Sequence, residues 1–462
     1  MSKQGVKNMD RKTVVRDMTT GSEMKLLISF MLPMLVGNIL QQVYNIADSI
    51  IVGNYLGSNA LGAIGCTAPI TFLFFSICHG LGMGAGIMVA QYFGAGHEEN
   101  VKKTLTNSLY IVVISALLLS FVGVVFARPM LELLGTPINQ IDDAEIYMKI
   151  ICAGTIAVGI YNYASQVMRA LGDAKTPMIF IMVATILNIV LDLLFVMEFD
   201  MGVAGAAYAT IIAQSVSALG SLITAAIINP YFKLKLSHFS INRQIFNLCL
   251  KVGLPLGMQG FAIAISCVIL QGFVNSFEEK VVTAFTVTSR VEQFVQQPYN
   301  SLASAVSSFT GQNMGAGNID RVRTGLKKSV IIVGVISLTM LLVCFGAGEL
   351  IARCFVADAQ VIDISVKGMM ILSTMFFPLG IIYVTRALLN GANDSTYAFI
   401  NGGVEVLGRI LFSVLMVYVV GAGQWSVWLA TGLTWLFAGT IGVIRYKSNI
   451  WVKKSIAKEQ YV

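Results

Sequence analysis

Four polar side chains share one face of the first long apolar segment of the chain. Residues 26–57 are apolar enough for a membrane-spanning helix, which needs roughly 20 mostly apolar residues. Within this segment a helix places on one side four polar residues spaced three or four positions apart: Gln41, Tyr44, Asn45 and Asp48. A carboxylate at membrane depth costs ~2.5 kcal/mol or considerably more. Asp48 is therefore expected to face a cation, a proton source or water inside a transport cavity. The alternative is a hydrogen-bonded carboxylate that only fixes helix packing.

The composition places the rest of the chain in a membrane as well. Of the 462 residues, 56% are hydrophobic and 12% are charged, against about 25% charged residues in an average soluble protein. The first residues are polar and basic and have no apolar core, so no cleavable signal peptide is predicted. The net charge of +7 is better explained by basic loops than by a nucleic-acid partner.

Apolar windows of spanning length occur twelve times and indicate an all-α integral membrane protein. The only long connection between them covers residues 229–245, at the midpoint of the chain. The predicted spans are 25–52, 63–91, 107–127, 146–169, 178–198, 203–228, 246–275, 283–310, 327–348, 365–389, 397–420 and 424–446.

The basic residues set the predicted orientation. Of the 31 Lys and Arg, 24 fall in the two terminal segments and in alternate connections, and basic residues of this kind mark the cytoplasmic side. Arg169 and Arg386 are counted among them. A multi-pass protein of the cell membrane with both termini in the cytoplasm is therefore predicted.

The two halves of the chain repeat one another. A shift of 221 or 222 residues aligns several positions: Pro33 with Pro255, Gln91 with Gln312, Asp173 with Asp394, and Thr210 with Thr431. Each half has six predicted helices, an even number, so both insert in the same sense and the substrate path is expected between them. The predicted organisation is a cytoplasmic segment 1–24, an N-lobe 25–228, a linker 229–245, a C-lobe 246–446 and a cytoplasmic tail 447–462.

The acidic residues are unequally divided between these halves. Asp48 is matched by Leu270. In the fifth predicted helix, Asn188 and Asp192 lie four positions apart on one face, whereas the eleventh carries an arginine and a serine at the matching positions. An acidic intramembrane face is therefore predicted in the N-lobe alone.

Several stretches resemble the multidrug and toxic-compound extrusion (MATE) transporters. They are YNIADSIIVGNYLG, the paired loops RALGDAKTP and NGANDSTY, and LNIVLDLLFVMEFDMGVAGAAYATIIAQ. The resemblance covers nearly the whole chain. It implies a V-shaped fold of two pseudo-symmetric six-helix lobes that exports amphipathic, often cationic organic compounds in exchange for H+ or Na+.

The resemblance also maps a cation-binding site onto the N-lobe, at Asp48, Asn188, Asp192 and Thr210. Carboxylate, amide and hydroxyl oxygens are hard ligands that suit Na+, and two nearby carboxylates titrate as a pair. Either H+ or Na+ can therefore be the coupling ion, and no other cofactor is expected. Family members with a C-lobe cation site carry acids in the seventh and tenth helices, and the apolar parts of 246–275 and 365–389 contain none.

Further residues are predicted to line the substrate cavity. The polar arc of the eighth predicted helix contributes Glu292 and Gln296, and the fourth contributes Asn162 and Gln166, beside the Gln41, Tyr44 and Asn45 face. Pro33 is expected to kink the first helix because it removes one backbone hydrogen bond; whether that kink moves during transport is left open. The expected partners are small organic molecules and the lipid bilayer, and the chain is expected to act as a monomer.

Two alternatives remain at this stage. A flippase of lipid-linked precursors would favour a strongly cationic cavity, and the few intramembrane basic residues, Arg290 and Arg409, argue against it. An intramembrane aspartyl enzyme would use the two carboxylates as a dyad, but the full-length repeat favours a transporter.

Overall fold

The computed structural model describes residues 15–456, which are helical with short connections and contain no strand. The predicted segments 1–24 and 447–462 therefore lie partly outside the described residues. The helices are α1 (Glu23–Tyr55), α2 (Gly57–Gly94), α3 (Glu98–Val125), α4 (Ala127–Leu133), α5 (Ile141–Ala153), α6 (Thr155–Ala170), α7 (Lys175–Asp192), α8 (Gly202–Ile228), α9 (Arg243–Val274), α10 (Glu279–Gly315), α11 (Ile319–Arg353), α12 (Ala359–Ser373), α13 (Phe376–Gly391), α14 (Ser395–Val414) and α15 (Ser426–Lys447).

The membrane spans account for most of these helices. Within residues 15–456, nine helices are long and apolar enough to cross a membrane, or up to eleven if each of two bent pairs counts as one span. The remaining predicted span lies in α10, which has 37 residues but carries more polar side chains than the other spans. It packs between the lobes, against α1, α2, α11, α12 and α13. Twelve spans result, in agreement with the prediction.

Two predicted spans are bent, which the apolar windows did not indicate. The helix pair α5 and α6 is bent by 45°, and α12 and α13 by 49°. A β-carbon on Gly154, at the first bend, would lie 2.0 Å from Ile211 Cδ1 on α8. At the second bend the roles are exchanged: Met375 occupies the bend, and a β-carbon on Gly432 of α15 would lie 2.6 Å from its Cγ. At each bend a glycine therefore packs against a large side chain. The glycine lies at the bend itself in the first pair and on the neighbouring helix in the second.

The two lobes meet through pairs of equivalent helices. Helix α1 of the first lobe packs against α10 of the second, and the equivalent helix α9 of the second lobe packs against α2 of the first. Glycines let α2 and α9 approach closely, since a β-carbon on Gly80 would lie 2.1 Å from Gly257 N and one on Gly84 would lie 2.6 Å from Gly253 Cα. Small residues four positions apart commonly serve close helix contacts in membranes.

The lobes also cross at the end of α2 and α10, on the side of the molecule where the described residues begin and end, called here the terminal face. A β-carbon on Gly94 would lie 1.9 Å from Gln312 O, and one on Gly315 would lie 1.9 Å from Gln91 O. Gln312 Oε1 accepts from Met18 N at 2.8 Å, and Gln91 Oε1 accepts from Ile456 N at 2.8 Å. Each glutamine therefore forms a hydrogen bond between the crossing and one end of the described chain.

Between the lobes, the predicted linker 229–245 lies between α8 and α9, and its last residues begin α9. It contacts the start of α3, where Thr106 Oγ1 donates to His238 O at 2.5 Å and Asn107 Oδ1 accepts from Asn242 N at 2.8 Å. The linker is therefore held against the first lobe.

Candidate functional site

Three helices of the first lobe bring the predicted cation ligands together. Asp48 lies on α1, Asn188 and Asp192 on the last two turns of α7, and Thr210 on α8. The carboxyl groups of Asp48 and Asp192 lie close enough to interact with each other. Asp192 is completely buried and Asn188 is 2% exposed. A π-helical turn, Leu193–Glu198, follows directly, as such turns often do at functional sites.

Asn188 joins the carboxyl pair to α8. The amide orientation that satisfies both neighbours lets its nitrogen donate to Asp192 Oδ2 at 2.7 Å while its oxygen accepts from Thr210 N at 3.1 Å. The Thr210 hydroxyl lies 3.5 Å from the Tyr44 hydroxyl and donates to Ala206 O at 3.0 Å. The four predicted ligands thus form one continuous polar cluster.

Among the described residues, two carboxyl oxygen atoms of this cluster lack partners, and a small cavity lies beside Asn188 and Thr210. No N–H or O–H group of residues 15–456 donates to Asp48 Oδ1 or Asp192 Oδ1, although both atoms are buried. A cavity of about 20 Å³ lies alongside, lined among others by Gln41, Tyr44 and Thr210. Such a volume matches one water molecule or a small ion. The donor set fits a proton or Na+, and its function as a cation site remains a prediction.

Sequence reasoning missed several neighbours of the cluster. Tyr147 of α5 lies close enough to Asp48, Asp192 and Tyr44 to interact electrostatically with all three. Tyr161 and Gln214 line the small cavity. None of these belongs to a polar face with a helical period, so only the tertiary packing identifies them. Asn45, by contrast, is exposed and lines neither this cavity nor the larger one described below.

The equivalent place in the second lobe holds a fixed cation. Arg409 takes the position of Asn188, and its Nη1 donates to Thr431 Oγ1 at 3.4 Å. Arg409 is 6% exposed and Leu270, the counterpart of Asp48, is 3% exposed. The chemical difference between the halves that the sequence predicted is therefore present in the packed molecule.

A larger cavity of about 340 Å³, called here the central cavity, lies between the lobes. Residues of α1, α2 and α6 form one side and residues of α9, α10 and α13 the other. Predicted Gln166 lines it and donates to His79 Nε2 at 3.1 Å. Asn162, Glu292 and Gln296 do not line it. The polar residues of its lining include His79, Arg169, Gln259, Asn300, Tyr383 and Arg386.

Glu292 and Gln296 nevertheless reach this cavity through one further residue. Gln296 Nε2 donates to Glu292 Oε1 at 2.7 Å, and Tyr383 Oη donates to Gln296 Oε1 at 2.9 Å. Tyr383 in turn lines the cavity. The pair lies behind the cavity wall rather than in it.

The placement of Arg169 and Arg386 corrects the sequence analysis. Both were assigned to the basic loops, and both line the central cavity, on the last turn of α6 and within α13. The argument that few arginines lie within the spans is therefore wrong. The charge pattern could not separate them from loop residues because they lie near the ends of their spans.

Pro33 lies inside α1, which continues as one helix across it from Glu23 to Tyr55. Pro33 lines another cavity, separate from the two above and near the terminal face. This cavity has a volume of about 380 Å³ and is also lined by Arg16 and Asp173. The movement of a kink at Pro33 is still a prediction.

Two pseudo-symmetric helical lobes with a cavity between them are the architecture of many membrane transporters built from repeats. The MatE family model matches the chain twice, at residues 33–194 and 255–415, which begin at Pro33 and Pro255. The chain belongs to this family, the MATE transporters, and it is a transporter rather than an enzyme.

Individual relatives extend over nearly the whole chain. It is 31% identical to the probable multidrug resistance protein YpnP of Bacillus subtilis, over 96% of this chain and 99% of the relative. It is 25% identical to an FAD transporter of Shewanella oneidensis, over 79% of this chain and 82% of the relative. A solved structure of a MOP superfamily transporter from Pyrococcus furiosus, described as having a binding pocket of reverse polarity, superposes with a TM-score of 0.88 at 24% identity, covering 96% of this chain and 99% of that one.

Proposed function

We propose that this protein is a secondary active antiporter that exports small amphipathic organic molecules in exchange for H+ or Na+. The observation that carries the proposal is the polar cluster of Asp48, Asn188, Asp192 and Thr210, whose two carboxyl groups lie together inside the first lobe. A multidrug role is in keeping with the name of the B. subtilis relative. The cluster and the cavity are both built from one chain, which supports a monomer as the unit of function.

The coupling ion acts at the carboxyl pair. Two carboxyl groups can hydrogen bond to each other only when one carries a proton, because two carboxylates offer acceptors alone. In the proton-loaded state the two groups share one proton, and loss of that proton leaves a site that Na+ can occupy through the same oxygen atoms. Either ion neutralises the repulsion between Asp48 and Asp192.

Helix α1 connects the ion to the substrate. It carries Asp48 in the cluster and, further toward its start, Asn38, which lines the central cavity. Asn38 Nδ2 also donates to Ser301 Oγ of α10 at 3.0 Å, across the boundary between the lobes. An ion that binds more tightly to one arrangement of α1 shifts the population of lobe arrangements by that difference in affinity.

The lobes are closed at the terminal face by the crossing of α2 and α10. With both termini in the cytoplasm of a cell-membrane protein, this arrangement is the one that opens outward. In the proposed cycle the cluster takes up its proton in the outward-facing state, which releases substrate outside, and proton release to the cytoplasm accompanies the return.

The experiment that tests this function uses purified protein in lipid vesicles with an imposed gradient of either pH or Na+, and a fluorescent substrate. Asp48→Asn and Asp192→Asn should each abolish gradient-driven transport while the proteins still insert and remain monodisperse. Asp363→Asn is the matched control, because Asp363 is exposed and paired with Lys367 at 2.7 Å. Full transport by both cluster variants would contradict the proposal, and the gradient that drives the wild type identifies the ion.

A further inference from the structure

We propose that the central cavity binds an organic anion: a small molecule with an apolar body and a carboxylate or phosphate group. This inference rests on the proposed transport function and names the chemical class of its substrate. It departs from the cationic substrates that the family resemblance implies.

The charges of the cavity wall carry the inference. Within the part of the chain that the structure describes, the lining includes Arg169 and Arg386 and no aspartate or glutamate. Neither arginine has a carboxylate oxygen within 4.0 Å in residues 15–456, in contrast to Arg321, which pairs with Glu23 at 3.0 Å. The wall therefore has a net positive charge contributed by both lobes.

Arg169 lacks partners at a position that points to a ligand. It sits on the last turn of α6 beside His79, and its Nε is buried without a hydrogen-bond acceptor. A half-buried guanidinium whose Nε lacks an acceptor and which has no counter-charge is energetically unfavourable. An anion bound in the cavity supplies both the missing charge and the missing acceptor.

Arg386 is held in place from the opposite lobe. Its guanidinium carbon lies 4.9 Å from the centre of the Tyr383 ring, a contact that orients the group without neutralising it. The planar guanidinium offers paired N–H donors that match the two oxygen atoms of a carboxylate or phosphate. Amide and hydroxyl groups nearby, including Asn300 and Ser307, provide further hydrogen bonds.

The remainder of the wall suits an apolar body. Met34, Met83, Ile87, Leu256 and Ile263 line the same cavity. Its volume of about 340 Å³ falls within the range of ~300–1,000 Å³ that is usual for small-molecule sites. Methionine side chains adapt readily to ligands of different shape. Glu292 does not line the cavity, and its Oε1 accepts from Gln296 Nε2 at 2.7 Å.

The test is equilibrium binding to the purified full-length protein without any gradient. Three fluorescent probes of similar aromatic character are compared: carboxyfluorescein for the carboxylate, flavin mononucleotide for the phosphate, and ethidium as the cation. We expect at least one anion to bind more tightly than ethidium. Arg169→Gln and Arg386→Gln should each weaken anion binding about tenfold or more, and Arg386→Lys, which keeps the charge, should restore most of it.

Arg323→Gln is the matched control, because Arg323 lies on the surface, where it bonds to Asn449 at 3.1 Å. It should leave all three affinities unchanged. Tighter binding of ethidium than of both anions, or unchanged anion affinity in both glutamine variants, would overturn the inference. Displacement of the anions by a short-chain phosphatidylglycerol at lower concentrations than their own would assign the oxyanion site to a lipid head group and overturn the small-molecule assignment. Because binding is measured without a gradient, it can fail while coupled transport persists, so the two proposals are tested separately.

Discussion

The Arg409 guanidinium meets the Thr431 hydroxyl at 3.4 Å in the second lobe, at the place where Asn188 meets Thr210 in the first. The duplicated framework has therefore kept the hydroxyl and exchanged the amide for a permanent positive charge. A bound cation would be repelled at this position, because the guanidinium carries the same charge. The geometry explains why we assign coupling to the first lobe.

Arg409→Gln should destabilise the protein and leave coupling intact. Glu292 lies near both Arg409 and Glu405, so loss of the guanidinium leaves acids inside the lobe without a positive neighbour, at a cost of about 1–3 kcal/mol. Thermal unfolding in detergent measures the loss, and Arg323→Gln provides the surface control. The number of ions exchanged per substrate should equal that of the wild type. A changed stoichiometry would place part of the coupling in the second lobe.

Gly94→Ala should weaken the crossing at the terminal face. The new β-carbon would lie 1.9 Å from the Gln312 carbonyl oxygen, so the backbones of α2 and α10 must separate, and backbone cannot yield as a flexible side chain can. We expect a lower unfolding temperature and slower transport. Gly65→Ala is the control in the same helix, since nothing lies within 4 Å of its β-carbon position and alanine favours helix by roughly 1 kcal/mol. Equal stability of the two variants would refute the close crossing.

Transport of an anion should respond strongly to membrane potential. Exchange of one inward H+ or Na+ for one outward monovalent anion moves two positive charges inward, whereas exchange for a monovalent cation moves none. Each charge is worth about 2.3 kcal/mol per 100 mV. A potassium diffusion potential set with valinomycin, negative on the cytoplasmic side, should therefore accelerate carboxyfluorescein export. An anion flux that is indifferent to this potential would indicate a different charge balance per cycle.

Helical spacing predicted two parts of the first-lobe cluster, and the family resemblance joined them and added Thr210. Asp48 shares a face with Tyr44, and Asp192 lies four positions after Asn188, so local spacing places each pair on one side of its helix. Their mutual contact needed the packing of α1 against α7. The repeat then indicated which half would lack the acids, through Leu270 in place of Asp48.

The central cavity was harder to predict for a physical reason. Arg169 and Arg386 lie near span ends, where cytoplasmic basic residues also lie, and the rule that assigns orientation cannot tell a side chain that faces a cavity from one that faces solvent. The two bends were hard to predict as well, because Gly154 and Met375 are residues of different type. Each bend is explained only by its partner on another helix, which is Ile211 for Gly154 and Gly432 for Met375. Both features depend on contacts between helices distant in sequence.

Gln312→Ala should release the N-terminal end of the described chain. Gln312 is fully buried, and its side chain accepts from Met18 N and donates to Ala170 O, each at 2.8 Å. Alanine leaves one buried N–H and one buried carbonyl without partners, at about 1–3 kcal/mol each, and the cheapest relief is detachment of the segment before α1. Hydrogen exchange of the Met18 amide should rise by tenfold or more, together with weaker closure at the terminal face. Gln271→Ala is the control, because Gln271 is exposed and bonds only to Asn275 in its own helix region at 2.8 Å. Unchanged exchange at Met18 would show that the segment is held by other contacts, such as the bond from Asn313 Nδ2 to Met18 O at 3.1 Å.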